Sequence, residues 1–259
     1  MDAMPAIVWA ASAFLTATLP AGAGAACSAA SGAQTAGLVE LYTSEGCSSC
    51  PPAERTLARL GAAPQGGRDW ITLAWHVDYW DYIGWRDPYA QPAFTERQRW
   101  LVQANGHSTV YTPHVFVNGV ESDSQEDALR GELSELRARK ADADIHLDVA
   151  KGSAGALQLT ASAQARAQPD PLALYVAVTE NHLVSKVMRG ENGGATLTHE
   201  HVVRDWMGPF PLVDGAAQVR RELSAADAGR FSRGELVAFV QDQKSGRVLQ
   251  SLGLPACQP

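Results

Sequence analysis

The chain has 259 residues, 46 % of them hydrophobic and 19 % charged, which excludes a disordered tail and leaves room for one large or two modest domains. A formal net charge of −7, with no block of Lys or Arg, argues against nucleic acid and against an anionic membrane surface as partners. The four cysteines (Cys27, Cys47, Cys50 and Cys257) then carry most of the functional signal.

The N-terminal run AIVWAASAFLTATL, from Ala6 to Leu19, is uncharged and apolar but shorter than the roughly 20 residues of a membrane span. Pro20 ends it, and the small residues from Ala21 to Ala26 offer cleavage sites, so residues 1–26 read as an export signal. The segment before the run lacks Lys and Arg and carries Asp2, which a start at Met4 would remove. An apolar N-terminal helix of the folded domain is the alternative. Export implies a secreted or periplasmic location, no integral span after cleavage, and an oxidising compartment where cysteines pair. Chain termini often lie close in space, so Cys27 and Cys257 are expected to form a structural disulfide. Lipid attachment at Cys27 is the competing reading, and Gly24-Ala25-Ala26 lacks the Leu expected three positions before that cysteine.

After a loose lead-in, Leu38 to Tyr42 reads as a buried strand and Pro51 to Leu60 as a helix, with proline tolerated in its first turn. Trp70 to Val77 is a second buried strand. Asp78 to Pro88 is an aromatic loop, and Ala93 to Asn105 a helix closed by Gly106. His114 to Val117 and Val120 flank the hairpin signal Asn118-Gly119, and Ser124 to Lys140 has helical spacing. Beyond Asp142 come short strand candidates: Ile145–Val149, Ala156–Thr160, Leu172–Val178, Val202–Val203, Val219–Leu223 and Leu236–Val240. The expected fold is an α/β domain over residues 36–141, a mixed sheet covered by helices. A β-rich, sandwich-like C-terminal domain over residues 142–259 follows, with the boundary near 140–144.

The chemistry centres on Cys47-Ser48-Ser49-Cys50, placed between the first strand and the first helix. The free N–H groups of a helix N-terminus favour a thiolate on the first sulfur, and the second lies close enough to close a small disulfide ring. A structural zinc site would need two further ligands, and no second Cys-x-x-Cys supplies them. Tyr111-Thr112-Pro113 precedes a strand, and a cis Pro113 there would leave the backbone beside it free to pair with an extended substrate. Glu45, two residues before Cys47, would repel a thiolate or relay its proton, or is simply a solvated loop acid. His114 either modulates the sulfurs or is an ordinary strand histidine. Trp80 and Trp85 form either a satellite core or an apolar rim for peptide segments. His199 and His201 are a possible metal pair on one strand face.

With these motifs in view, the chain resembles a secreted bacterial and plant family of unknown function whose members have a thioredoxin-like fold and a CSSCPPA motif. The stretches carrying the resemblance are Val39 to Ala53, His76 to Trp85, Tyr111-Thr112-Pro113, and Gly190-Glu191-Asn192 through His199 to Arg204. It implies a thioredoxin-like first domain, with Cys47 as attacking thiol, Cys50 as resolving thiol and Pro113 as the cis proline. Thr112, Trp80 and Trp85 would contact substrate, and Glu45 and His114 would modulate the thiols. The leading reading is a thiol–disulfide oxidoreductase acting on protein or peptide thiols and disulfides, with no cofactor and no resident metal. Two alternatives stand beside it. One is a Cu(I) carrier using Cys47, Cys50 and His114, since thiolates suit that ion. The other is a binding module in which Cys47–Cys50 is only a staple. Ser48-Ser49 declares neither oxidant nor reductant, and oligomeric state is not legible.

Overall fold

The computed structural model describes residues 27–152, 156–166 and 171–259; the expected export signal at 1–26 lies outside them. The chain runs β1 (Cys27–Ala30), β2 (Gly37–Thr43), α1 (Cys50–Ala62), β3 (Trp70–His76), α2 (Pro92–Ala104), β4 (His114–Val117), β5 (Val120–Ser122) and α3 (Glu126–Arg137). It continues with β6 (Ala143–Lys151), β7 (Leu157–Ala165), β8 (Leu172–Glu180), β9 (Leu183–Lys186), β10 (Thr196–His199) and β11 (Val202–Pro211). The last elements are β12 (Ala216–Leu223), α4 (Ala225–Phe231), β13 (Glu235–Asp242) and β14 (Val248–Pro255). None of the described helices is long and apolar enough to cross a membrane.

The expected plan, an α/β thioredoxin-like domain followed by a sandwich-like domain, is overturned. Among the described residues the protein is mostly β, 43 % strand against 21 % helix, and strands from both halves of the chain share one sheet. That sheet has eight strands in the order β14-β13-β8-β11-β3-β2-β4-β5. The join is the parallel contact of β11 with β3, where Val202 lies opposite Ala74 and the Ala74 N–H donates to the His201 carbonyl at 2.9 Å. On one side of the join β2 and β3 pair in parallel, with Leu38 opposite Ile71 and Thr43 opposite His76. On the other side β11, β8, β13 and β14 are antiparallel neighbours.

Residue alternation along these strands builds the layers. Leu38, Tyr42, Leu73, Trp75, Tyr175, Ala177, Val237 and Phe239 face one side, where Phe94, Leu101 and Val102 of α2 pack on them. The opposite face is divided. Near β2 it is covered by Leu57 and Leu60 of α1 and by Leu129 and Leu133 of α3. Near β8 and β13 it is covered by a second sheet, β1-β6-β7-β12, through Ile145, Leu147, Leu159 and Ala161. Being covered on both faces, β8 is buried at every position, whereas β6 alternates buried with exposed residues.

A charged group sits inside the α2 layer. Arg97 donates to both carboxyl oxygens of Glu40 at 2.8 Å and to Gln241 Oε1 at 3.2 Å. Its guanidinium lies 4.7 Å from the Trp206 ring centre and 5.2 Å from that of Trp75.

Cys27 and Cys257 form a disulfide that fastens β1 to the segment after β14 across a sequence separation of 230. Together with Cys47–Cys50, it is consistent with an extracellular, oxidising location. Closing so long a loop restricts the unfolded chain strongly. The double replacement Cys27→Ser with Cys257→Ser is therefore expected to cost about 2–5 kcal/mol. Denaturant unfolding at fixed protein concentration would read it, and an unchanged midpoint would show that the β1–β6 pairing alone holds this end.

Candidate functional site

The site begins where β2 stops. The Cys47 N–H donates to the Ser44 carbonyl at 3.1 Å, turning the chain, and Cys47 and Cys50 are joined with their Cα atoms 5.4 Å apart. Cys50 is the first residue of α1, and both cysteines are buried while Ser48 and Ser49 are exposed. Pro51 and Pro52 have no N–H, so two of the donors that normally crowd a helix N-terminus are missing here. The Cys50 N–H is itself engaged with the Cys47 carbonyl at 3.2 Å. The helix-end stabilisation of a thiolate expected from sequence is correspondingly reduced.

The bridge is roofed by the segment between β9 and β10. Glu191 Oε2 accepts from the Ser48 N–H at 2.9 Å and from its hydroxyl at 2.7 Å. Those two donors hold the Glu191 carboxyl below the usual carboxylate range. Asn192 Nδ2 donates to the carbonyls of Glu45 and Cys47, both at 2.9 Å. Gly190 has φ +77°, and a Cβ there would lie 3.0 Å from Ile83 Cδ1, so a larger residue would strain the backbone and press on the aromatic loop.

Next to the bridge lies a buried polar network. Glu45 Oε2 accepts from Trp85 Nε1 at 2.7 Å, and Glu45 Oε1 is 3.1 Å from His199 Nε2. His199 Nδ1 is 2.7 Å from Glu54 Oε2, and Glu54 Oε1 accepts from the Thr43 hydroxyl at 2.5 Å. Burial works against a charged His199, but hydrogen bonds to Glu45 and Glu54 outweigh it and push its pKa up to about 10. Glu54 is held below its ordinary value by the same contact, against the opposing effect of burial. Beyond His199, the His76 ring packs edge-on at 5.0 Å, and His76 Nδ1 is 2.7 Å from Asp87 Oδ2. That Asp87 oxygen also accepts from the Glu45 N–H at 2.8 Å. Burial raises Asp87, but His76 lowers it further, and the net shift is downward.

The residues singled out from sequence are distributed around this centre. The Thr112–Pro113 peptide is cis, and the Thr112 hydroxyl accepts from Trp80 Nε1 at 2.7 Å. Trp80 in turn packs on the cysteine turn, 3.2 Å from where a Cβ on Gly46 would stand. Trp80 and Trp85 are half-buried, and Tyr82 between them is 82 % exposed. His114 is buried and stacked on Tyr111 at 4.0 Å, with Nδ1 3.2 Å from Gln98 Nε2 and Nε2 3.2 Å from Glu121 Oε1. Burial, the largest influence, lowers its pKa despite Glu121. His199 and His201 do not converge. β10 ends at His199, His201 adopts φ +57° before β11, and its ring turns to Gly61 and Glu235.

Sequence reasoning missed Glu54, His76, Asp87, Glu191 and Asn192. Their signals were weak but present. Glu54 is one helical turn beyond Cys50, His76 is a polar end to an apolar strand, and Glu191-Asn192 lies in the Gly-rich turn GENGG.

A family profile described as "Protein of unknown function (DUF1223)" matches residues 38–241. The chain belongs to this family. The matched span contains the bridge, its Glu191-Asn192 roof and the whole Glu45–Glu54–His76–Asp87–His199 network. Among solved structures, this DUF1223 chain is similar to a crystal structure of a protein from Agrobacterium tumefaciens, at 24 % identity and TM-score 0.64. The match covers 87 % of this chain and 96 % of the other. It is also similar to HBP35 of Porphyromonas gingivalis, at 17 % identity and TM-score 0.67, over 87 % and 76 % of the two chains. At such identities the likeness concerns the fold. A search of curated proteins found no match.

Proposed function

We propose that the chain is an exported thiol–disulfide oxidoreductase that exchanges electrons with protein or peptide substrates through Cys47 and Cys50. The observation that carries this reading is the Cys47–Cys50 bridge at the first residue of α1, set against buried Glu45. A substrate thiolate attacks Cys47 Sγ, the Cys47–Cys50 bond breaks, and Cys50 leaves as a thiolate and takes up a proton. A second substrate thiol, losing its proton, then attacks the substrate sulfur of the mixed disulfide and releases Cys47, which is protonated in turn. Two electrons and two protons pass to the protein, and the reverse sequence reduces a substrate disulfide. Thr112, Pro113, Trp80 and Trp85 are assigned to the substrate side. Both cysteines are buried, so the structure around the bridge must open for a substrate to reach either sulfur.

Two features disfavour thiolates here: the missing N–H groups of Pro51 and Pro52, and the Glu191 carboxyl on Ser48. A poorly stabilised reduced form means a strongly reducing couple. The midpoint is expected near −270 mV, at the reducing end of the span of about −120 to −270 mV covered by dithiol enzymes. Thiol trapping and mass spectrometry across a redox titration of the mature protein would read each cysteine pair separately. A Cys47–Cys50 midpoint below about −300 mV would mark the bridge as a structural staple and end the proposal.

A further inference from the structure

His76 has an unfinished ring. Its side chain is fully buried, Nδ1 is taken by Asp87, and Nε2 has no hydrogen-bond partner. A buried imidazole nitrogen without a partner is costly, and one explanation is an ion that completes it. Glu54 and His199 stand beside it, and the three residues each offer a ligand atom within 4.8 Å of the others. We propose that Glu54, His76 and His199 form a divalent transition-metal site, suited to Zn²⁺, next to the Cys47–Cys50 bridge.

The surroundings of both histidines fit this role. Metal-bound histidines hold their second ring nitrogen on a carboxylate, a backbone carbonyl or a water, which fixes the ring and the ligating tautomer. Here His76 Nδ1 is on Asp87 at 2.7 Å, leaving Nε2 for the ion. His199 Nε2 is 3.1 Å from Glu45, leaving Nδ1, which already faces the Glu54 carboxyl at 2.7 Å. The ion would take the place of the proton between those two groups. Ligand atoms about 2.0–2.1 Å from a tetrahedral Zn²⁺ lie roughly 3.3 Å apart. The 2.7 Å contact therefore opens slightly on loading, while ligand atoms already within 4.8 Å of one another draw together. Two imidazoles and one carboxylate suit Zn²⁺ or Co²⁺ and are a poor set for Ca²⁺ or Mg²⁺, which take oxygen ligands. The site would tie α1, β3 and β10 together at three residues far apart in sequence.

The test uses the untagged mature protein with both disulfides closed, so that no thiolate can bind the ion. Equilibrium dialysis against Zn²⁺ should give one equivalent per chain, and the Co²⁺ form should show the visible absorption of a tetrahedral site. Asp87→Asn, which leaves all three ligands in place, should weaken Zn²⁺ binding about 10–100-fold. A crystal of the loaded wild-type protein gives a reading that depends on no variant: anomalous density should lie between Glu54, His76 and His199. Failure to bind a stoichiometric ion overturns the proposal. So does density elsewhere, for instance at the cluster of His107, His114 and Glu121, where both histidines lie within 3.5 Å of the carboxyl.

Discussion

Replacing Cys50 by Ala is expected to abolish turnover with a disulfide substrate and to leave the substrate attached to Cys47. Cys50 is the group that resolves the mixed disulfide, and no other thiol is near. The remaining cysteines, Cys27 and Cys257, are paired with each other at the edge of the second sheet. Cys47 freed by the substitution attacks the substrate disulfide, one substrate sulfur leaves as a thiolate, and the reaction stops. Exposure of the variant to a disulfide-bonded peptide, followed by mass spectrometry before and after reduction, would show the adduct on Cys47. Cys47→Ala serves as the control and should carry none. If the Cys50→Ala protein remains free of adduct under conditions in which its thiol is demonstrably exposed, exchange chemistry at this pair is refuted. Because Cys47 is buried, adduct formation should be slow and should rise with substrate concentration.

The second large effect concerns stability. Arg97→Leu should cost about 3–5 kcal/mol, because it leaves Glu40 fully buried among aromatic rings with its main charge partner gone. The Tyr42 hydroxyl, 3.4 Å from Glu40 and with its own pKa raised well above normal by burial and by Glu40, is a weak substitute. In a chain of this size that loss corresponds to a fall in Tm of roughly 6–20 °C. The double variant Arg97→Leu with Glu40→Leu should recover much of it, since removing both charges removes the desolvation cost of each. Thermal unfolding of the three variants reads this directly. A single variant as stable as the parent would mean that water reaches Glu40. A double variant no better than the single would show that packing of Arg97 on Trp75 and Trp206 matters more than its charge.

Much of the local structure was legible. The strands at Leu38–Tyr42, Trp70–Val77, Leu172–Val178 and Leu236–Val240 and the helices on either side of the aromatic loop follow from apolar runs, alternation and proline placement. The cysteine pair was legible because Cys-x-x-Cys closes a ring within one turn, whatever the rest of the chain does. Most of the network around it was not. Glu45, Glu54, His76, Asp87 and His199 come from the β2–α1 turn, α1, β3, the aromatic loop and β10, and no local spacing joins them.

The error in fold class has a specific cause. The short strand candidates after Asp142 suggest one new module, yet the described strands beyond it divide among three sheets, β9 and β10 pairing only with each other. β6, β7 and β12 alternate because one of their faces meets solvent, whereas β8 and β13 are continuous apolar runs because both of theirs are covered. The unbroken runs in LALYVAV and LVAFV were the visible sign that these strands belong inside a larger sheet. What the sequence determined by itself is what acts over a few residues: periodicity, turns, and the reach of one cysteine to another. Tertiary structure alone decided that Val202 pairs with Ala74, because a strand's hydrogen-bonding edge carries no address and its partner is chosen by which faces are left to bury. That single pairing places β11 beside β3, and with it brings His199 to Glu45 and Glu54, so the site exists only once the two halves of the chain are one sheet.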